Sequence, residues 1–186
     1  MEGRLMGLQT SQLLKEFGAG NAKPGSGSAA ALQALIATQL IHTVIDLTTC
    51  PEKRDRYPAV QEQFLRIDGE ITDRIYPRLV HLFEEDSILF GQTVDYRKLR
   101  DNASDPSERK KYDDLSKAGL IPAINIPLEI TRLSFELGEF ASYVFNNGFK
   151  AALGDSNVAL NAAASAIAGY LSIIELNLHS LPLWYP

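Results

Sequence analysis

Apolar residues recur along this chain at three- and four-residue spacing and almost nowhere alternate with a period of two, which predicts helices rather than strands. Thr10 or Ser11 can cap a short first helix carrying Leu13, Leu14 and Phe17, closed by Gly18-Ala19-Gly20. A run of small residues, Asn21-Ala22-Lys23-Pro24-Gly25-Ser26-Gly27-Ser28, then leads into an apolar helix over residues 29–47, with Ser28 as its N-cap. Alanine, leucine and isoleucine fall on every face of that helix. Other helices must therefore surround it, in a bundle or in an oligomer core.

Beyond Cys50-Pro51 the composition turns charged, and Pro58 suits the first turn of a long amphipathic helix reaching about residue 99. Its stripe includes Phe64, Ile67, Ile71, Ile75, Leu79 and Phe83. Pro77 lies within it and is expected to kink or break it, because proline has no N–H and crowds the preceding turn. Residues 101–109 read as the one clear surface loop, followed by a short polar helix up to Lys117. A helix starting near Pro122 contains a second proline, Pro127, and ends at Asn147-Gly148. Gly154 closes a short piece, and Asp155 caps a final apolar helix that continues to about residue 178. With no internal repeat or linker, the expectation is one domain over residues 1–186. It is an all-α antiparallel bundle of about six helices, dimerising through its apolar helices.

Charge and composition narrow the functions. The formal charge is −5, from 18 basic and 23 acidic residues, which disfavours a phosphate-tracking nucleic-acid surface. Residues 28–49 and 157–178 are apolar enough to raise the question of membrane spans. Asp46 interrupts the first and Glu175 the second, and each mid-membrane charge would cost roughly 2.5–3.5 kcal/mol, so both are read as helices buried in protein. The N-terminus lacks the charged-then-apolar pattern of a secretion signal. With the single cysteine, Cys50, this points to a cytoplasmic protein. His81, Glu84 and Glu85 share a helix face at ligand spacing, but only three histidines occur in the chain and no second acid–histidine pair does, so no metal is expected. His42, on an apolar helix, reads as a satisfied core histidine.

The turn Pro24-Gly25-Ser26-Gly27-Ser28 enters a helix N-terminus, where bare backbone and unpaired N–H groups suit an anion or a carbonyl oxygen. It is no phosphate loop, since no Lys-Ser/Thr follows and no strand precedes. Followed by Ala29-Ala30-Ala31-Leu32 and Ile45-Asp46-Leu47-Thr48, it resembles the Pro-Gly-Gly-Gly-Ser opening of the formiminotetrahydrofolate cyclodeaminase / methenyltetrahydrofolate cyclohydrolase family. Four further blocks resemble that family in the same order. They are Glu84-Glu85-Asp86-Ser87-Ile88-Leu89-Phe90, Ile126-Pro127-Leu128-Glu129-Ile130, Gly154-Asp155-Ser156-Asn157-Val158-Ala159 and Leu176-Asn177-Leu178-His179-Ser180-Leu181.

The resemblance implies a helical domain that dimerises and binds a tetrahydrofolate derivative as substrate, without a cofactor. It implies either closure of the 5-formimino form with loss of ammonia, or interconversion of the methenyl and 10-formyl forms with water. Both need proton transfer at a carbon bridging two nitrogens. Asp86 and Glu84 match the family's two acidic positions, and Asp86, beside Ile88-Leu89-Phe90, is the principal acid/base candidate. Gly25, Ser26, Gly27 and Ser28 would face the ligand, and Lys53, with Lys23, Arg54 and Arg56, would attract the anionic glutamate tail. Asp155 is an N-cap or lies near the pocket. Asn177 meets a pterin edge or satisfies a helix end. Ser26 replaces the middle glycine of the loop, Ile173 replaces an asparagine, and the chain ends at Leu183-Trp184-Tyr185-Pro186, where the family adds a helix. These departures leave open a second reading, a non-catalytic homodimeric relative that binds a ligand or serves assembly.

Overall fold

A computed structural model describes residues 5–181, and among them the regular structure is helical throughout. The helices are α1 (Thr10–Phe17), α2 (Ser26–Thr49), α3 (Gln61–Glu70), α4 (Tyr76–Asn102), α5 (Pro106–Ala118), α6 (Pro122–Asn147) and α7 (Leu153–His179). The all-α bundle expected from the spacing is therefore present, with seven α-helices among the described residues rather than about six. The terminal residues Trp184 and Tyr185 lie outside the described part.

α2 is the axis of the bundle. α7, α6, α4 and α3 all pack against it, and α6 touches both α7 and α4. Ala31, Ala34, Ala37 and Ile41 of α2 are fully buried, and small side chains at the first three let neighbouring helices come close. Phe64, Ile67, Ile75, Leu79 and Phe83 also fill the core, each contributing about 1.5–3 kcal/mol relative to exposure. Much of the all-round apolar surface of α2 is covered within the one chain, though Ile36 and Leu47 stay exposed. Exposed apolar side chains remain on several helices, among them Leu14, Leu65, Ile88 and Phe135, and α7 carries Val158 and Leu171, each 54% exposed, and Leu176 at 66%. By length and composition alone, α2 and the segment Lys150–His179 are each long and apolar enough to cross a membrane, and α2 is mostly buried inside the protein.

Both interior prolines are accommodated without breaking their helices. Before Pro77 the chain opens into one wide π-turn, Ile71–Ile75, in which Tyr76 N–H reaches back to Ile71 C=O. The wider turn gives the proline ring room against the preceding carbonyls, so α3 and α4 continue one another. In α6, Pro127 cannot donate to the carbonyl of Ala123, four residues earlier. Asn177 of α7, itself buried, donates its Nδ2 to that carbonyl at 2.6 Å. Arg78 of α4 holds Glu129 of α6 through two parallel hydrogen bonds of 2.6 and 2.7 Å, a fork geometry that fixes orientation as well as distance.

Several boundaries differ from those the sequence suggests. α2 begins at Ser26, three residues early, so Gly25 is the N-cap and Ser28 sits in the first turn rather than capping it. α7 begins at Leu153 with Ala152 as N-cap, which puts Gly154 inside the helix and Asp155 in the first turn with no side-chain capping bond. The expected loop over 101–109 contracts to residues 103–105, because Asp105 accepts from Ser107 N–H and caps α5. Gln9, not Thr10 or Ser11, is the N-cap of α1.

The Asn177–Ala123 bond predicts a coupled pair. Asn177→Leu should lower unfolding free energy by about 1–3 kcal/mol, because it strands a buried carbonyl. In a Pro127→Ala background, where residue 127 regains an N–H, the same change should cost about 1 kcal/mol less; urea unfolding of the four variants measures this.

Candidate functional site

The glycine-serine turn packs on α4 at two points. Gly27 lies against Asp86 so closely that a methyl group on Gly27 would overlap the carboxylate Oδ2. Lys23 lies across Gly91, where a Cβ would come within 2.8 Å of Lys23 Cδ. Each contact exists because one partner has no side chain. Gly25 is extended, and its carbonyl accepts the N–H of Ala29 at 3.0 Å, the first bond of α2. The N–H groups of Ser26, Gly27 and Ser28 precede that bond and have no intrahelical partner, so the positive end of the helix dipole lies beside Asp86. Ser28 Oγ is buried there with no hydrogen-bond partner among the described residues.

Burial raises the Asp86 carboxyl from the ordinary 3.8 to about 6, and desolvation is the cause. No described residue donates a hydrogen bond to it. The phenol of Tyr170, fully buried on α7, donates to the carbonyl of Gly27 at 2.7 Å. Burial first, and the charge of Asp86 second, hold that phenol above its ordinary pKa, so it stays protonated. Gly169 brings α7 tight against α2 next to it, since a Cβ at 169 would lie 3.2 Å from Ala30 Cβ. The result is a carboxyl that exchanges its proton near neutrality, beside a helix N-terminus able to hold a carbonyl or anionic oxygen.

The structure brings together Gly25, Ser26, Gly27, Ser28 and Asp86, with Ser26 exposed at the rim. It sends the other expected residues elsewhere. Glu84 lies about 200° around the helix from Asp86. It accepts the backbone N–H groups of Leu5 and Met6 at 3.0 and 2.8 Å, so it anchors the N-terminal segment. Lys53 lies beyond the C-terminus of α2, a helix of 24 residues and so roughly 36 Å long. Its ammonium stacks 4.4 Å from the Phe149 ring centroid and 3.6 Å from Cys50 Sγ. Asp155 lies at that same end, because α7 runs antiparallel to α2. Asn177 is committed to Ala123.

His42 is half-exposed rather than in the core. Its Nδ1 lies 2.5 Å from Asp68 and its Nε2 3.3 Å from Asp46, and the hydrogen bond to Asp68 is the main cause of its raised pKa. The stability this link contributes is present below pH 6.5 and is lost as pH climbs through the raised value. His81 pairs with Glu85 at 3.3 Å while Glu84 is engaged elsewhere. Among the described residues no three metal-ligating side chains converge. A groove of about 560 Å³ between α6 and α7, lined by Phe135, Tyr143, Leu160 and Ile167, includes none of the residues around Asp86.

Two contributors escape a reading by pattern alone. Tyr170 lies in an otherwise small and aliphatic helix, and its signal is that a buried phenol needs an acceptor. Gly91 sits in an amphipathic run where glycine weakens the helix by up to about 1 kcal/mol, a cost that suggests a close approach.

Comparison with known proteins places the fold and the family. A family model described as Formiminotransferase-cyclodeaminase matches residues 9–182. The crystal structure of formiminotetrahydrofolate cyclodeaminase from Thermotoga maritima superposes with a TM-score of 0.78 at 17% sequence identity, covering 96% of this chain and 82% of that one. At that identity the likeness speaks for the fold. No curated protein matches the chain.

Burial of Asp86 has a stability consequence with a definite sign. Its folded pKa exceeds the unfolded one, so the native state binds the extra proton and stability falls as pH rises from about 4 to 6. Asp86→Asn should therefore stabilise the protein by about 1–3 kcal/mol at pH 7.5, with the gain vanishing near pH 4 in denaturant titrations. Gly27→Ala, which forces a methyl onto the carboxylate, should destabilise at every pH.

Proposed function

Because the chain belongs to the formiminotransferase-cyclodeaminase family, we propose that it is a one-carbon tetrahydrofolate enzyme of the cyclohydrolase or cyclodeaminase type, with Asp86 as its acid/base. The observation that carries this reading is the half-buried carboxyl, without a donor, seated on the bare backbone of Gly27 at the start of α2. In the hydrolytic direction, ionised Asp86 takes a proton from water as the water oxygen bonds to the electron-poor methenyl carbon. The C–N bond to the ring nitrogen then opens as Asp86 returns that proton to the departing nitrogen, and the hydroxyl loses its own proton to solvent to become the formyl C=O. In the deaminating direction, the second folate nitrogen, at position 10, bonds to the formimino carbon and gives up its proton to the imino nitrogen. Protonated Asp86 supplies one more proton to that nitrogen, and its C–N bond breaks to release ammonia and leave the methenyl cation. A group with a pKa of about 6 supplies both forms near neutral pH. The first-turn N–H groups of Ser26, Gly27 and Ser28 suit a carbonyl oxygen of the ligand.

The protein acts as a homodimer in this proposal, and the outer face of α7 is the contact. Ala164 and Ala168 there are small and exposed, between the exposed Val158 and Leu171, so a second helix can approach closely. The same face favours the second reading, a non-catalytic assembly module, because it would serve either.

Mixing the protein with methenyltetrahydrofolate and following loss of its chromophore separates the two. An enzyme accelerates the decay, loses about 10²–10⁴ of that rate in Asp86→Asn, and shows an acidic limb near pH 6. Background decay in both proteins leaves the module. Leu171→Glu should convert a dimer to monomers by sedimentation. A wild type that sediments as a monomer ends the α7 proposal.

A further inference from the structure

Asp86 lies against Gly27, a residue with no side chain to fix the contact. The backbone of Gly27 rests on the carboxylate, and no side chain there resists a small rotation of the turn. What fixes the turn comes from α7, whose phenol lies near enough to feel the charge of Asp86. Tyr170, with no exposed surface, donates its hydroxyl to Gly27 C=O at 2.7 Å across 143 residues of sequence. The tight seating of Gly169 on Ala30 one residue earlier fixes α7 against α2 and so sets the height of the phenol. The first turn of α2 is thus bonded to a phenol and seated on a carboxyl.

We propose that Tyr170 is the positioning residue of this site: by holding the carbonyl of Gly27, it keeps the turn pressed on Asp86 and water away from the carboxyl. It acts through Gly27 and touches no reacting atom. Without the hydroxyl, Gly27 C=O loses a buried partner and a space the size of one oxygen atom opens. A water in that space satisfies the carbonyl and donates to Asp86, which favours the ionised form. The other titratable groups nearby are occupied or turned aside. Lys23 lies on Gly91, more than one helical turn further along α4, Glu84 holds the N-terminal backbone, and Glu85 pairs with His81.

The proposal rests on Asp86 being the acid/base only where turnover is measured, so the deciding readout needs no substrate. The carboxyl ¹³C resonance of Asp86 should titrate near pH 6 in the wild type and at least one pH unit lower, toward the ordinary value of about 4, in Tyr170→Phe. The acidic limb of kcat/KM should move by the same amount. A structural role alone lowers Tm and leaves both where they were, and that outcome overturns the proposal. If the resonance moves while no folate turnover is found in either protein, the positioning role stands and the folate reading fails. Should Tyr170→Phe not fold, the wild-type protein still decides. Its phenolic proton should be protected from exchange and its resonance should follow the ionisation of Asp86, and a resonance unchanged from pH 4 to pH 8 overturns the proposal.

Discussion

The approach of the first turn of α2 to α4 is the contact on which the site depends, and the absence of a side chain at Gly27 makes it possible. A methyl group there would occupy the position of the Asp86 carboxylate. With the hydrogen atom instead, backbone covers part of the carboxyl, and the lost contact with water raises its pKa to about 6. That condition works against stability, since an ionised carboxylate with few donors is unfavourable in the folded state. The rest of the core must offset it, and the dense packing of alanines in α2 against α7 is one place where it does.

Keeping that contact in register requires long helices that do not bend at the wrong place. α4 and α6 both begin near prolines, and each defect in the hydrogen-bond ladder is handled differently. Pro77 is preceded by a wide turn that gives its ring room, whereas Pro127 is tolerated because Asn177 supplies the missing donor from another helix. The second solution ties the end of α7 to the start of α6, while Tyr170, two turns earlier on α7, reaches α2. One helix thus repairs a neighbour and clamps the functional turn. Arg78 and Glu129 brace α4 against α6 from the opposite face.

The expected ligand residues divide between two ends of the molecule. Gly25 to Ser28 and Asp86 share one end, Lys53 and Asp155 the other, and Glu84 and Asn177 are occupied by backbone groups. Acidic and amide side chains near helix ends are as useful for satisfying backbone as for binding ligands, and motif position alone does not separate these uses. Glu84 and Asp86 show this most directly. They are two residues apart on one helix and therefore face opposite ways, one to the N-terminal backbone and one to the turn.

The sequence by itself determined the helical class, the order of the long helices and the presence of a glycine turn at a helix entry. Hydrophobic spacing and small-residue runs are local properties that survive without knowledge of the fold. Asp86 is also a candidate in sequence, but not for the reason that the apolar run Ile88-Leu89-Phe90 suggests: Ile88 is 51% exposed, and the carboxyl is covered by the turn at Gly27 instead. Tertiary structure alone decided which side of α4 faces the turn, that Tyr170 secures Gly27, that Gly91 makes room for Lys23, and that Asn177 replaces the donor missing at Pro127. Each is a contact between residues tens of positions apart or more, fixed by how helices cross rather than by any spacing within one. Helix boundaries at Ser26 and Leu153 moved for a related reason. Where a helix starts depends on which backbone groups its neighbours can satisfy, and a capping residue in sequence is only one way of satisfying them.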